Sequence, residues 1–242
     1  MSSIFEVLPS PSEWQGSAYR NVYTVSPSQT LLDDLISDPK DFKVAVAWEE
    51  ITGEIEKGHQ YYRPIEYGDK GNSLFVFENN NPGVTRFSDG TFGVWYGALE
   101  EETSFTETLF WLFREVQPDL PNSKNGIIRK HRRMFLARLD HVETIDLVKL
   151  QSEYPNLTHP TDYSLCHELG MYAVDRGIGL YLAPSARKEE GIRTPVFQKE
   201  AIKGDTYRYD YYLTFKAASR RVVVERKGKI SHLNMPREWQ DI

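Results

Sequence analysis

Cysteine is almost absent from this chain: Cys166 stands alone among 242 residues. One thiol closes no intramolecular disulfide and builds no cysteine-based zinc site. Long apolar runs are missing too, and nothing approaches the roughly 20 residues that a membrane span requires. The opening Met-Ser-Ser-Ile-Phe-Glu lacks the basic and apolar regions of a signal peptide. A soluble, cytoplasmic protein without membrane contact is therefore expected. Positive charge is also in deficit, with 29 Lys and Arg against 35 Asp and Glu and a net charge of −6. Such a chain has no overall attraction for phosphate backbones, which argues against direct nucleic-acid binding.

Familiar site signatures are missing as well. There is no GxxxxGK[ST] loop, no GxGxxG after a strand, no HExxH, no GxSxG and no CxxC. The six histidines are scattered, and the nearest pair, His159 and His167, does not amount to a metal centre. No metal is expected. Cys166 falls within a helical stripe and reads as a small buried hydrophobe. No repeat of 20–50 residues is present, which excludes solenoids and propellers.

What remains is globular composition, 40% hydrophobic and 13% aromatic, including 14 Tyr. Such aromatic content suits many short strands, or a pocket for something flat. Residues 1–18 read as an arm, and 19–242 as one body without a composition break. Strands are expected at Ala18–Thr24, Lys43–Trp48, Ser73–Glu78, Gly93–Ala98, Met134–Asp140, Thr144–Val148, Ile178–Ala183, Thr194–Gln198, Thr206–Phe215 and Arg221–Glu225. A short helix is expected over Thr30–Ile36, and turns at Asn79–Gly83 and Ser88–Gly90.

The clearest helix follows the acids Glu100–Glu102 and runs to about Val116, with Thr103 or Ser104 as cap. Phe105, Leu109, Leu112, Phe113 and Val116 form its core stripe. Glu107, Trp111 and Arg114 lie on roughly the opposite side, which suggests a helix covered on both faces. A second helix spans Asp162–Arg176, capped by Thr161 or Asp162 and closed by Gly177. The fold class is α+β, with many short strands and few helices. Arg129-Lys-His-Arg-Arg133 reads as a solvated basic run leading into a strand. Tyr207, Tyr209, Tyr211 and Tyr212 read as a strand with aromatic cross-strand pairs.

Three places could carry chemistry. Val84-Thr-Arg-Phe-Ser-Asp-Gly90 sets an arginine and an aromatic beside a glycine turn. Trp95-Tyr96 is followed eleven residues later by Glu107. Pro184-Ser185-Ala-Arg187 is a polar turn after an apolar strand. Arginine clamps phosphate, and tyrosine stacks on a flat heterocycle. A carboxylate stabilises a sugar cation, and serine holds a hydroxyl or amide. Taken singly, each is also an ordinary surface charge, helix salt bridge or turn residue.

Taken together, these segments resemble the RES domain family, named for an arginine, a glutamate and a serine. The resemblance runs from about Tyr19 to about Phe197. Its elements are Tyr19-Arg20, the turn Thr85-Arg86-Phe87-Ser88-Asp89-Gly90, and Val94-Trp-Tyr96-Gly-Ala98 followed by Thr106-Glu107. The last is Gly179-Leu-Tyr-Leu-Ala-Pro-Ser-Ala-Arg187 with Pro195-Val-Phe197. Thr85 stands where many relatives carry Gly.

The resemblance implies an ADP-ribosyltransferase-like fold that consumes NAD, as the toxin of a pair whose antitoxin is of the Xre type. NAD is then a substrate, and no cofactor is expected. Carried over by position, Arg20 and Arg86 would bind the pyrophosphate or ribose side, and Tyr96 would pack on nicotinamide or its ribose. Glu107 would be the catalytic carboxylate, with Arg86 and Tyr96 beside it. Ser185 would line the cleft, and Arg187 would contact phosphate or support the site. Hydrolysis or phosphorolysis of the nicotinamide–ribose bond is the expected reaction. ADP-ribosylation of a specific protein, a catalytically silent binding module and a homo-oligomer all stay open at this level.

Overall fold

The computed structural model describes residues 3–23, 77, 82–217, 221–236 and 239. The helix expected over Thr30–Ile36, the strand at Lys43–Trp48 and most of the Ser73–Glu78 strand and of the Asn79–Gly83 turn lie outside them. A one-turn helix α1 (Ile4–Val7) precedes β1 (Ser12–Tyr23). Residues 12–18, expected in an arm, are thus the first half of a strand. β2 (Trp95–Ala98), α2 (Glu101–Val116) and β3 (Ile127–Asp146) follow, then α3 (Ser164–Arg176), β4 (Leu180–Pro184) and β5 (Ile192–Val196). The chain closes with β6 (Ile202–Lys216), β7 (Arg221–Arg226) and β8 (Lys229–Asn234).

The sheet order is β1-β2-β5-β4-β3-β6-β7-β8, and β1 also pairs with β3. That extra pairing closes β1, β2, β5, β4 and β3 into a ring, from which β6, β7 and β8 extend as an open wing. Each strand of the ring sends side chains to one inner cluster: Ala18, Trp95, Ala137, Leu139, Val142, Leu180 and Val196. The large indole of Trp95 fills the middle. A Cβ at Gly97 would lie 2.5 Å from that ring, so the position next to it on β2 accepts only a hydrogen.

β3 corrects the expectation of two strands at 134–140 and 144–148. It runs unbroken for 20 residues by changing partners: β6 along residues 127–139, then β4 in parallel at 144–146, with β1 on its other edge. Bulges at Met134/Phe135 and Arg138/Leu139 absorb the bend. The basic run 129–133 therefore lies inside a strand and is not a solvated approach to one. Arg129 pairs with Glu225, Lys130 with Glu115 and Arg133 with Asp210, while Arg132 is buried and donates to the Asn21 carbonyl. His131 stacks on Tyr212 with ring centroids 4.4 Å apart, one of the expected cross-strand aromatic pairs.

α2 follows its predicted stripe: Leu109, Leu112, Phe113 and Val116 pack with Phe110 against Met134 of β3 and against Tyr211, Leu213 and Phe215 on the wing. Burying side chains of this size contributes about 1.5–3 kcal/mol each. Its start lies earlier than expected. Glu100 occupies the cap position, and its carboxylate accepts from Thr103 Oγ1 and the Ile192 N–H instead of the helix's own amides. The second face is covered only in the first turns, where Thr103, Ser104 and Glu107 are buried; Trp111 is 44% exposed and Arg114 is exposed.

α3 packs on the opposite side of the ring, with Cys166, Leu169 and Ala173 against Phe87, Leu157 and Tyr181. It starts two residues later than expected, with Tyr163 and not Thr161 or Asp162 at the cap position; Asp162, just before it, accepts the Ser164 N–H, and Gly177 ends the helix in the left-handed region at φ 68°.

Candidate active site

The turn that carries Arg86 is held from three sides. Thr85 and Ser88 pair their backbones across it, and the Ser88 hydroxyl donates to the Phe92 carbonyl. His167 on α3 reaches the Thr85 carbonyl with Nε2 at 2.8 Å. Gly170 on α3 lets the helix sit against the turn: a Cβ there would run into the Phe87 carbonyl.

Within this frame the Arg86 side chain is 4% exposed. Its Nη1 donates to the carbonyls of His159 (2.9 Å) and Leu157 (3.4 Å), and its Cζ lies 4.4 Å from the centre of the Tyr163 ring. Nε has no partner among the described residues.

Tyr96 projects from the outer face of β2. Its hydroxyl accepts the Phe87 N–H at 2.9 Å and shares a hydrogen bond with Thr85 Oγ1 at 2.8 Å. Thr85 thus offers Tyr96 a hydroxyl partner that a glycine could not. Burial raises the phenol pKa above its ordinary value.

Glu107 faces the ring from α2 and is 6% exposed. Ser185, just after β4, donates to Oε1 at 2.6 Å, and Arg193 of β5 pairs with Oε2 at 3.5 Å. The Ser185 hydroxyl in turn accepts the N–H groups of Arg187 and Lys188, which fixes it in its turn. Arg193 also lays its guanidinium over the Tyr96 ring, 4.7 Å from its centre. The expected alternative partner of Glu107, Arg114, instead lies near the Phe110 ring.

Arg20 is the cation on the other wall. Its guanidinium lies over the Trp95 ring, 4.9 Å from the centre, and its Nε has no partner among the described residues. Burial, and then the neighbouring charge of Arg132, bring its pKa down to about 10, with Asp205 opposing.

A cavity of about 360 Å³ joins these groups, a size ordinary for a small-molecule site. Arg20, Arg86, Tyr96 and Glu107 line it, with Arg193 and Trp111. Two of the residues expected at the site stand behind it. Ser185 reaches the cavity through Glu107. Arg187 spreads its guanidinium 3.6 Å from the centre of the Phe110 ring and donates to the Pro160 carbonyl, a supporting geometry. Arg193 escaped the sequence reading; its only signal was a charged residue within a strand that is otherwise buried.

The sequence matches the family model of the RES domain over residues 60–211. Among solved structures, the chain is similar to one in the M. tuberculosis MbcT–MbcA toxin–antitoxin complex. That match has a TM-score of 0.44 at 11% identity and covers 82% of this chain and 87% of the other. No curated protein matches the sequence. The family match takes in more than half of the chain, including the turn of Arg86, the helix of Glu107 and the turn of Ser185, and on that ground the chain belongs to the RES domain family.

Proposed function

We propose that this protein cleaves the nicotinamide–ribose bond of NAD, by hydrolysis or phosphorolysis. The observation that carries the reading is the Glu107 carboxylate, buried in the wall of a cavity whose other walls hold Arg20 and Arg86. Nicotinamide on ribose is already cationic and leaves without a general acid, so positive charge develops at the anomeric carbon. Catalysis then consists of holding the dinucleotide and placing negative charge beside that carbon.

Each wall suits one part of the substrate. Glu107, held on both oxygens, stabilises the sugar cation or takes a ribose hydroxyl. The half-buried, incompletely partnered Arg20 and the Arg86 guanidinium, both lining the cavity, suit pyrophosphate oxygens. Tyr96 offers an aromatic edge for nicotinamide or its ribose. An enzyme that depletes NAD halts the cell that makes it, so a toxin role with a protein antitoxin occluding the cleft follows from this activity.

Nicotinamide release from NAD by the purified chain, with and without phosphate and beside Glu107→Gln, tests the reading. Release by the wild type alone supports it, and phosphate dependence separates phosphorolysis from hydrolysis. No release by the wild type overturns it.

A further inference from the structure

We propose that Arg193 is a positioning residue for the Glu107 carboxylate, a role that rests on reading Glu107 as the group beside the reacting sugar. Arg193 belongs to β5, whose inner-facing residues Thr194 and Val196 are fully buried. On the outer face its cross-strand neighbours are Ala98 of β2 and Ala183 of β4. Two methyl groups flank the long side chain and leave it a channel toward α2. There the guanidinium meets two members of the site at once, the Oε2 of Glu107 and the ring of Tyr96.

A guanidinium in this position is costly. Its side chain is 10% exposed, and a buried cation costs several kcal/mol unless it is well paired. An apolar residue would fill a strand between two alanines without that cost. The arginine instead completes a two-sided grip: the Ser185 hydroxyl holds one carboxylate oxygen and Arg193 the other. A carboxylate held at both oxygens keeps one orientation when a ligand displaces water from the cavity.

Other groups face Glu107 as well. Ser185 adds a neutral donor from the turn after β4, and Tyr96 a neutral phenol from β2. Arg187 feels the carboxylate's charge from the same turn as Ser185, and Arg20 and Arg86 face the cavity from β1 and from the turn before β2. Of the four arginines, only Arg193 pairs directly with the carboxylate among the described residues.

Two measurements test the role. The first needs no substrate: urea unfolding of the wild type, Arg193→Met, Glu107→Gln and the double variant. Arg193→Met leaves the buried Glu107 carboxylate without its cation and is expected to lower the unfolding midpoint, whereas in a Glu107→Gln background the same change lowers it little. Equal shifts in the two backgrounds overturn the proposal whatever the substrate is. In the second, Arg193→Met lowers kcat for nicotinamide release about 100-fold with little change in KM, as expected when a reacting group is misplaced, and Arg193→Lys restores part of the loss. In a Glu107→Gln background the same change costs nothing further. Equal losses in both backgrounds overturn the proposal. A wild type that releases no nicotinamide defeats only the NAD reading, and the unfolding cycle still decides the role of Arg193.

Discussion

Two walls of one cavity are built in opposite ways. On the α2 wall, Glu107 has a donor on each oxygen, and the Ser185 that supplies one donor is itself pinned by two backbone amides. On the β1 wall, Arg20 is a half-buried cation resting on an indole, with Nε left over among the described residues and a pKa lowered to about 10. The first wall is complete without a ligand. The second is not, and an anion would complete it. A finished wall belongs to chemistry, where preorganisation lowers the barrier. An unfinished one belongs to binding, where the incoming ligand supplies the missing partner.

Glu107→Gln should break the finished wall most deeply. It keeps shape and removes charge, so nicotinamide release should fall by about 10³-fold while circular dichroism and melting temperature hold. Arg20→Met acts on the unfinished wall. It should raise KM for NAD by about tenfold to a hundredfold and raise stability by on the order of 1 kcal/mol, because an incompletely paired, half-buried cation is replaced by an apolar chain. Urea unfolding and initial-rate kinetics read the two effects separately, and a loss of stability would count against the contrast drawn between the walls.

Tyr96→Phe leaves the Phe87 N–H without its acceptor and should cost about 1–2 kcal/mol of stability. Smallest is Thr85→Gly, which removes one hydrogen bond to Tyr96 and loosens the turn, for about 1 kcal/mol. A double-mutant cycle of these last two checks that they act through one another.

Arg86 modifies the contrast. It was expected to bind the pyrophosphate or ribose side, but its Nη1 is already committed to two carbonyls and its guanidinium lies against the Tyr163 ring. Arg86 thus joins the turn to the segment before α3 as much as it faces the cavity. Arg86→Ala should therefore weaken NAD binding and also lower the melting temperature, whereas Arg20→Met should do only the first.

Much of this was legible residue by residue. The apolar stripe of α2 repeats at helical spacing, Gly177 marks the end of α3, and Pro184-Ser185-Ala-Arg187 turns where turn chemistry requires. Each of these depends on contacts a few residues apart, which the sequence displays directly. β3 was read as two strands because its polar stretch near Asp140 interrupts the alternation. It continues because its hydrogen-bonding edge passes from β6 to β4, a handover between segments more than twenty residues apart. Arg129–Arg133 looked solvated for the same reason: their partners Glu225, Glu115 and Asp210 come from other elements.

The sequence by itself determined which residue types were available for the chemistry, and it placed Arg20, Arg86, Tyr96, Glu107 and Ser185 on the right kinds of element. Only the closing of the ring decided that these elements meet around one cavity, since that depends on β1 reaching β3 across more than a hundred residues. It also decided that Arg193, unremarkable in its strand, lies between two alanines and against Glu107. Local patterns specify elements because neighbours in sequence are neighbours in space. A site made from five elements depends on contacts that no local pattern encodes.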